Sequence, residues 1–310
     1  MKKIAIAIVN YGNPKDTLEL VDSFNKFWKE DNFDLYITDN FSNEQNLEFL
    51  IKSLQAEKLE SSDIYTFAKG FIIRNPVNSG FAAGTNLSIR TATGRDEYQY
   101  YWILNNDTLI MEDTELAVNR VLTSGLKGII GSTIIYFDSN RIQCLGGATF
   151  NNILLVGSHV GEGLTVEESQ KIDLIKTIDY ISGASMLVHR EVVEKVGLLE
   201  EKFFLYFEEI DYCRRASVLG YKLKWDREIK IIHKEGSSIN GSRYGRKKSY
   251  VSEYHSMRSS IIFILKWYKK DYFFRVLARL FFKAAKNIIY LDFNAIKANF
   301  NGLLSIIRRN

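Results

Sequence analysis

Four short stretches of the chain carry side chains whose type and spacing could do chemistry. Glu208-Glu209-Ile210-Asp211 sets three carboxylates in four residues, directly after the aromatic run FFLYF. Acidic groups at a helix start complement its dipole. The apolar run before them should also bury them in part, and a carboxylate of raised pKa is suited to take a proton near neutral pH. On a helix, positions 208 and 211 share a face while 209 points elsewhere. Glu209 is therefore expected to face a cleft, with Glu208 supporting it and Asp211 holding a backbone or basic group. Asn105-Asn106-Asp107 follows the apolar run YYWIL. A strand-end carboxylate can hold a divalent cation that also bridges two phosphates, or it can cap a helix starting near Met111. Asn78-Ser79-Gly80-Phe81-Ala82-Ala83-Gly84-Thr85-Asn86 is a small-residue loop feeding a helix. Its N–H groups could approach a phosphate, or it is simply a tight strand-to-helix turn, matching neither a GxGxxG nor a P-loop pattern. His233 closes EIKIIH at a strand end, where it could join Asp107 on a cation or serve a structural role.

The elements that must position these groups alternate. Apolar runs at 4–9, 33–40, 70–75 and 100–107 read as strands, and 16–27 is an amphipathic helix with Leu18, Val21 and Phe24 on one face. This rhythm predicts an α/β fold, a mostly parallel sheet with helices on both faces. Ligands then bind outside the carboxyl ends of the strands, where Asn10, Asp39-Asn40 and Asn105-Asn106-Asp107 gather on one edge. Residues 128–137 form another strand, and 138–178 reads as polar and loop-rich. A strand, tight turn and strand follow at 177–190, then helices at 190–196 and 210–219 and a strand at 222–233. Beyond Gly236 the chain is helical and basic.

At 310 residues the chain can hold one large α/β domain plus an appendage, or two smaller domains. The 310 residues are 46% hydrophobic and 25% charged, with two prolines and no low-complexity linker. Cys144 and Cys213 give neither a metal-ligand spacing nor a disulfide framework, which points to a reducing compartment. MKKIAIAIVNYG reads as a buried first strand rather than a signal peptide, and no run is long and apolar enough for a membrane-spanning helix. The net charge of +4 is uneven: residues 266–310 carry ten Lys/Arg against Asp271 and Asp292. That argues for a surface partner of the tail, with no nucleic acid involved.

Seven segments in order, IVNYG (8–12), TDN (38–40), NSGFAAGTN (78–86), LNNDT (104–108), SGA (182–184), FLYFEEIDYCRRASVLGYKL (204–223) and IIHKEGSS (231–238), resemble glycosyltransferase family 2, in particular its bacterial rhamnosyltransferase-like branch. The resemblance implies a GT-A domain over residues 1–240, with a C-terminal helical region over 241–310. It also implies inverting transfer from a nucleoside diphosphate sugar with Mg²⁺ or Mn²⁺. Carried over by position, Glu209 is the general base, and Asp107 with His233 holds the metal. Asn10, Tyr11, Asp39, Asn40, Asn78, Gly80, Phe81, Asn86, Asn105, Asn106, Gly183 and Ala184 surround the donor. YHSMRSS (254–260) resembles a segment usually carrying Arg-Asn, so Arg258 keeps a charge for the diphosphate while Ser259 replaces the amide. Two more departures are an NND metal motif and Glu in place of the usual Asp base. The expected donor is dTDP-L-rhamnose, with a UDP-hexose, UDP-galactofuranose or a non-catalytic nucleotide-sugar-binding module as alternatives.

In the tail, Arg275, Arg279, Lys283 and Lys286 recur at helical spacing, with Phe273, Leu277, Leu280, Phe281, Ala284 and Ile288 on the other side. The pattern fits an interfacial helix on an anionic membrane, or a helix packed on the core with a solvated basic face. The membrane reading makes the acceptor a lipid-linked, polyprenyl-diphosphate saccharide. It places the protein in the cytoplasm, peripheral on the inner face of the bacterial membrane.

Overall fold

The computed structural model describes residues 3–60, 62–95, 97–172, 177–234 and 249–307. The chain opens with β1 (Ile4–Asn10), α1 (Pro14–Phe27), β2 (Phe33–Asn40) and α2 (Glu44–Ser53). An antiparallel pair, β3 (Glu57–Lys58) and β4 (Ile64–Phe67), precedes β5 (Gly70–Asn75) and α3 (Gly80–Thr93). Next come β6 (Tyr100–Asn105), β7 (Thr108–Ile110), α4 (Thr114–Ser124) and β8 (Gly128–Tyr136). Residues expected to be loop then form β9 (Ile142–Leu145), β10 (Gly147–Asn151), β11 (Val156–His159) and α5 (Val166–Ser169). These strands escape a periodicity reading because they are only four or five residues long. The remainder is β12 (Tyr180–Ile181), β13 (Ser185–His189), α6 (Arg190–Val196), α7 (Glu208–Val218), β14 (Lys222–His233), α8 (Tyr250–Trp267), α9 (Tyr272–Ile289) and α10 (Phe293–Ile307). Gly236, Ser237 and Ser238 lie outside the described residues.

The large sheet runs β3-β4-β5-β2-β1-β6-β13-β8-β14-β7, with β9 on β8, and a small sheet runs β11-β10-β12. β5, β2, β1 and β6 are parallel neighbours, whereas β13 lies antiparallel between β6 and β8. β1 shows why both faces must be covered. Ile4, Ile6 and Ile8 pack with Phe24 of α1, Trp28 and Trp102, while Ala5 and Ala7 join the core that holds Ile89 of α3 and Cys213 of α7. A strand buried on both sides reads as an unbroken apolar run, as β1 does. Met257, Ile261 and Phe263 of α8 belong to that second core, so packing continues across the expected boundary at 240/241.

The tail helix is amphipathic, but its basic stripe faces inward, the reverse of the expectation of a helix packed on the core with a solvated basic face. Arg279 and Lys283 are only 4% and 7% exposed. Arg279 Nη1 donates to the carbonyls of Leu154 and Leu155 at 2.9 and 3.0 Å, and Lys283 Nζ meets Glu253 of α8 at 2.7 Å. Arg275 stacks on the Tyr268 ring and binds Asp271. The side chain of Lys286 is outside the described ones. Phe273, Leu277, Phe281 and Ile288 face outward instead. Long cationic side chains reach buried carbonyls and a buried carboxylate, so the basic stripe faces the protein.

Candidate active site

The strand ends form one buried hydrogen-bonded chain. Asn10 Nδ2 donates to Asp39 Oδ1 at 2.7 Å, Thr17 Oγ1 donates to Asn10 Oδ1 at 2.6 Å, and Asn106 Nδ2 donates to Thr17 Oγ1 at 3.1 Å. Ser42 closes the other side, its backbone N–H donating to Asp39 Oδ2. The expected donor residues Asn10, Asp39 and Asn106 are thus brought together, but Asn10 is fully buried and spends its amide inside the protein. Its place is to hold Asp39 and Asn106 in register across β2, β1 and β6. Thr17, on the inward face of α1, is the link that the sequence reading missed; its signal is a polar residue among apolar positions of an amphipathic helix. Tyr11 and Phe41, just past the ends of β1 and β2, are 45% and 58% exposed.

The small-residue loop is a turn rather than a phosphate cradle. Ser79 N donates to Asn40 Oδ1, Gly80 N to Asn78 Oδ1, and Phe81 N to the Phe204 carbonyl. Asn40 Nδ2 also donates to Asn78 Oδ1 and the Gly80 carbonyl. Those N–H groups, expected to meet a nucleotide, are therefore used internally, and Asn40 and Asn78 do the lacing. Gly80 has φ +83°, and an added Cβ would stand 2.3 Å from the Phe204 carbonyl oxygen. Its glycine serves the approach of the 204 segment. Asn86 is likewise redirected: its amide exchanges hydrogen bonds with the Leu199 backbone at 2.9 and 3.0 Å and donates to Glu201.

Asp107 and His233 do converge. Nε2 of His233 lies 3.2 Å from Oδ1 of Asp107, and both residues are buried. No helix cap is involved, because β7 intervenes and the residue capping α4 is Asp113. Two ligand atoms each about 2.1 Å from one six-coordinate cation stand about 3 Å apart when adjacent, so this spacing fits a shared divalent ion. One carboxylate with one imidazole suits Mg²⁺ or Mn²⁺ with further oxygen ligands. Among the described residues no third His, Cys, Asp or Glu completes a protein cage, which leaves positions for diphosphate and water.

Glu209 sits at the start of α7, across from the SGA turn. A Cβ on Gly183 would contact Glu209 Cβ at 3.7 Å and the Phe81 ring at 4.0 Å. Ala184 of the same turn accepts a hydrogen bond from Asn105 N at 3.1 Å. The turn thereby ties Glu209 to the strand end that leads to Asp107. Burial pushes the Glu209 carboxyl up to about 7, partly offset by the N–H groups of Glu209 and Ile210 at the helix start. Glu208 is raised further, by burial and then by the Glu209 charge. Glu208 is buried while Glu209 keeps partial access to solvent. One oxygen of each, Oε2, is buried without a hydrogen-bond donor. The turn into α7 is strained: Tyr206 and Phe207 take φ +67° and +72°, a conformation that costs side-chain-bearing residues energy and clusters at functional sites.

Asp211 faces away from Glu209 and binds the expected basic groups. It takes Arg215 Nε at 2.8 Å, Lys266 Nζ at 2.8 Å and the Trp267 indole at 2.8 Å, pinning α7 to the end of α8. α8 also props the 202–206 segment: Arg258 donates to the Lys202 carbonyl, Ser259 to the Leu205 carbonyl, and His255 stacks on Phe204 at 4.4 Å. Arg258, expected at a diphosphate, thus has one arm supporting the approach to Glu208.

Sequence and fold comparisons identify the family and the fold. The sequence model described as "Glycosyl transferase family 2" matches residues 5–197. The low-salt glycan biosynthesis hexosyltransferase Agl10 of Haloferax volcanii is 26% identical over 161 residues, 51% of this chain and 50% of that protein. The rhamnosyltransferase WbbL of Escherichia coli K12 is 24% identical over 162 residues, 49% of this chain and 61% of that protein. The chain therefore spans between half and two thirds of these relatives. Among solved structures, GalNAc-T7 with UDP, GalNAc and Mn²⁺ superposes with a TM-score of 0.62 at 12% identity, covering 96% of this chain and 55% of that one. The mannosyltransferase PcManGT of Pyrobaculum calidifontis with GDP-Man and Mn²⁺ does so at 0.53 and 12% identity, covering 99% and 76%. The chain belongs to glycosyl transferase family 2 and has the GT-A fold.

Proposed function

We propose that this family 2 transferase moves a sugar from a nucleoside diphosphate donor to a saccharide hydroxyl in one displacement that inverts the anomeric centre. The observation that carries the reading is the SGA turn, which sets Glu209 against Gly183 while Ala184 holds the strand end leading to Asp107 and His233. The turn is thus the link between Glu209 and the strand end before Asp107. Glu209 accepts the acceptor hydroxyl proton as that oxygen attacks the face opposite the diphosphate. Its raised pKa matches a base working near neutral pH. A Mg²⁺ or Mn²⁺ held by Asp107 and His233 supplies positive charge to the leaving diphosphate when bound; the GalNAc-T7 and PcManGT structures both contain Mn²⁺. Asp39 and the exposed rings of Tyr11 and Phe41 take the nucleobase.

The WbbL match supports dTDP-L-rhamnose as donor, and the hexosyltransferase Agl10 supports a UDP-hexose as the second reading. The acceptor is a lipid-linked saccharide at a membrane surface. No helix among the described residues is long and apolar enough to cross a membrane. Support for peripheral contact is the outward row of Phe273, Phe274, Leu277, Phe281, Ile288 and Ile289, each 49–77% exposed, with exposed Lys269, Lys270 and Lys297 beside it. An apolar helix face flanked by cations suits an anionic bilayer interface.

The test is E209Q, assayed for donor binding by calorimetry and for transfer and donor hydrolysis with both nucleotide sugars. Donor binding is retained while turnover falls by about 10²–10⁴-fold. Turnover within a few-fold of wild type removes Glu209 from the mechanism.

A further inference from the structure

His233 can serve a cation only through an unprotonated Nε2, so something must keep the ring proton on Nδ1. Gln143 stands in the right place. Its Oε1 lies 2.8 Å from His233 Nδ1, and the residue is 5% exposed. On the other ring nitrogen, Asn105 Nδ2 lies 3.4 Å from Nε2. An amide N–H facing Nε2 requires a lone pair there, and an amide oxygen facing Nδ1 requires a proton there. Gln143 and Asn105 both favour the Nδ1–H tautomer, whereas Asp107 Oδ1, 3.2 Å from Nε2, draws a proton to Nε2 until a cation takes its place.

The backbone explains why Gln143 reaches this spot. β9 pairs antiparallel with β8 as Thr133 with Leu145 and Ile134 with Cys144, but Ile135 then pairs with Ile142. Gln143 is the extra residue of a β-bulge between those pairs. A bulge breaks the alternation of faces and re-aims one side chain, commonly beside an active site. Its neighbours Ile142 and Cys144 are fully buried, so Gln143 is a polar residue delivered into an apolar strand at the one position where His233 needs an acceptor.

We propose that Gln143 is a positioning residue: it fixes the His233 tautomer and ring orientation for the divalent cation. The proposal rests on the reading of Asp107 and His233 as cation ligands, and its test separates the two. Full-length protein saturated with diamagnetic Mg²⁺ is examined by long-range ¹H–¹⁵N correlation, in which four histidines are few enough to assign by substitution. His233 shows the Nδ1–H pattern in wild type, and Q143L, which offers no acceptor, gains the Nε2–H form. A wild-type Nε2–H pattern overturns the proposal without reference to any variant. Mn²⁺ binding to the same proteins, read as free Mn²⁺ by electron paramagnetic resonance, weakens by about 10–100-fold in Q143L and stays within about threefold of wild type in Q143E, which keeps an acceptor oxygen. If D107N and H233A weaken Mn²⁺ binding while Q143L, folded by its thermal melt, does not, Gln143 has no positioning role. If D107N and H233A leave Mn²⁺ binding unchanged, the ligand assignment itself fails.

Discussion

The two adjacent glutamates at the start of α7 make opposite predictions at neutral pH. Glu209 is raised to about 7 and Glu208 further, the Glu209 charge being one cause of the second shift. With Glu209 as the base, Glu208 is the member of the pair that holds a proton beside it. Replacing Glu208 with Gln exchanges one uncharged group for another of nearly equal shape. E208Q should keep the midpoint of the acid limb of kcat/KM near pH 7 and most of the activity, whereas E209Q abolishes that limb together with turnover. The same shift sets a stability change. A carboxyl raised in the folded state stabilises it below the unfolded value of about 4.5, and that stability is lost as pH rises through the folded value. For Glu209 the gap of about 2.5 pKa units converts to at most about 3 kcal/mol between pH 5 and pH 8. E209Q does not titrate, so its stability relative to wild type should rise by up to that amount over the same range. Urea denaturation at the two pH values measures the difference, and the rate profile is measured on wild type, E208Q and E209Q. An acid limb that disappears in E208Q but survives in E209Q assigns the base to the wrong glutamate. A relative stability of E209Q that falls between pH 5 and pH 8 refutes the buried, proton-binding carboxyl.

Three further outcomes follow from contacts away from the base. K283M leaves the Glu253 carboxylate buried without its cation and costs about 3–5 kcal/mol by denaturant unfolding, most of it recovered when E253L is added. T17V removes the link between Asn10 and Asn106; it costs about 1–2 kcal/mol and weakens dTDP or UDP binding in calorimetry. F281S/I288S lowers co-flotation with vesicles of phosphatidylglycerol and phosphatidylcholine without lowering the melting temperature. Wild-type flotation should weaken in high salt, which screens exposed Lys269, Lys270 and Lys297, but persist in part through the apolar row. Complete release of wild type by salt contradicts contact through that row.

What the sequence makes legible is what depends on neighbours along the chain. β1 and β6 announce themselves because a strand buried on both faces is a near-continuous apolar run. The Glu209 cluster is visible because aromatic residues precede it directly. Hydrogen-bond partners distant in sequence are not visible in this way. Nothing in NSGFAAGTN says that its N–H groups go to Asn40, Asn78 and Phe204, because those partners come from other elements. Thr17 and Gln143 are hidden for a related reason. Each is a single polar side chain whose meaning depends on a strand end more than 80 residues away, Asn106 for one and His233 for the other. At Gln143 the bulge also breaks the period-two rule that would say which way the residue points.

The tail shows a sharper limit of pattern reading. Helical spacing establishes that α9 has a basic stripe and an apolar stripe, and it is silent on which stripe meets the protein. Solvation argues for basic outward, since a buried cation is costly when unpaired. Here the cost is met by specific partners that only tertiary structure supplies: Glu253 for Lys283, and the carbonyls of Leu154 and Leu155 for Arg279. Burial still lowers the Arg279 guanidinium to about 10, and its Nε has no hydrogen-bond acceptor, so the inward turn is not free of strain. In water, the exposed row of Phe273, Phe274, Leu277 and Phe281 adds a second cost rather than offsetting the first. Both costs become intelligible together if the outer face meets lipid. A bilayer then removes the apolar row from water, and the inward cations fix the orientation of α9 on α8, the same helix that props the segment leading into Glu209. Contact with lipid on one side of the tail and placement of Glu209 on the other would then run through a single packed layer.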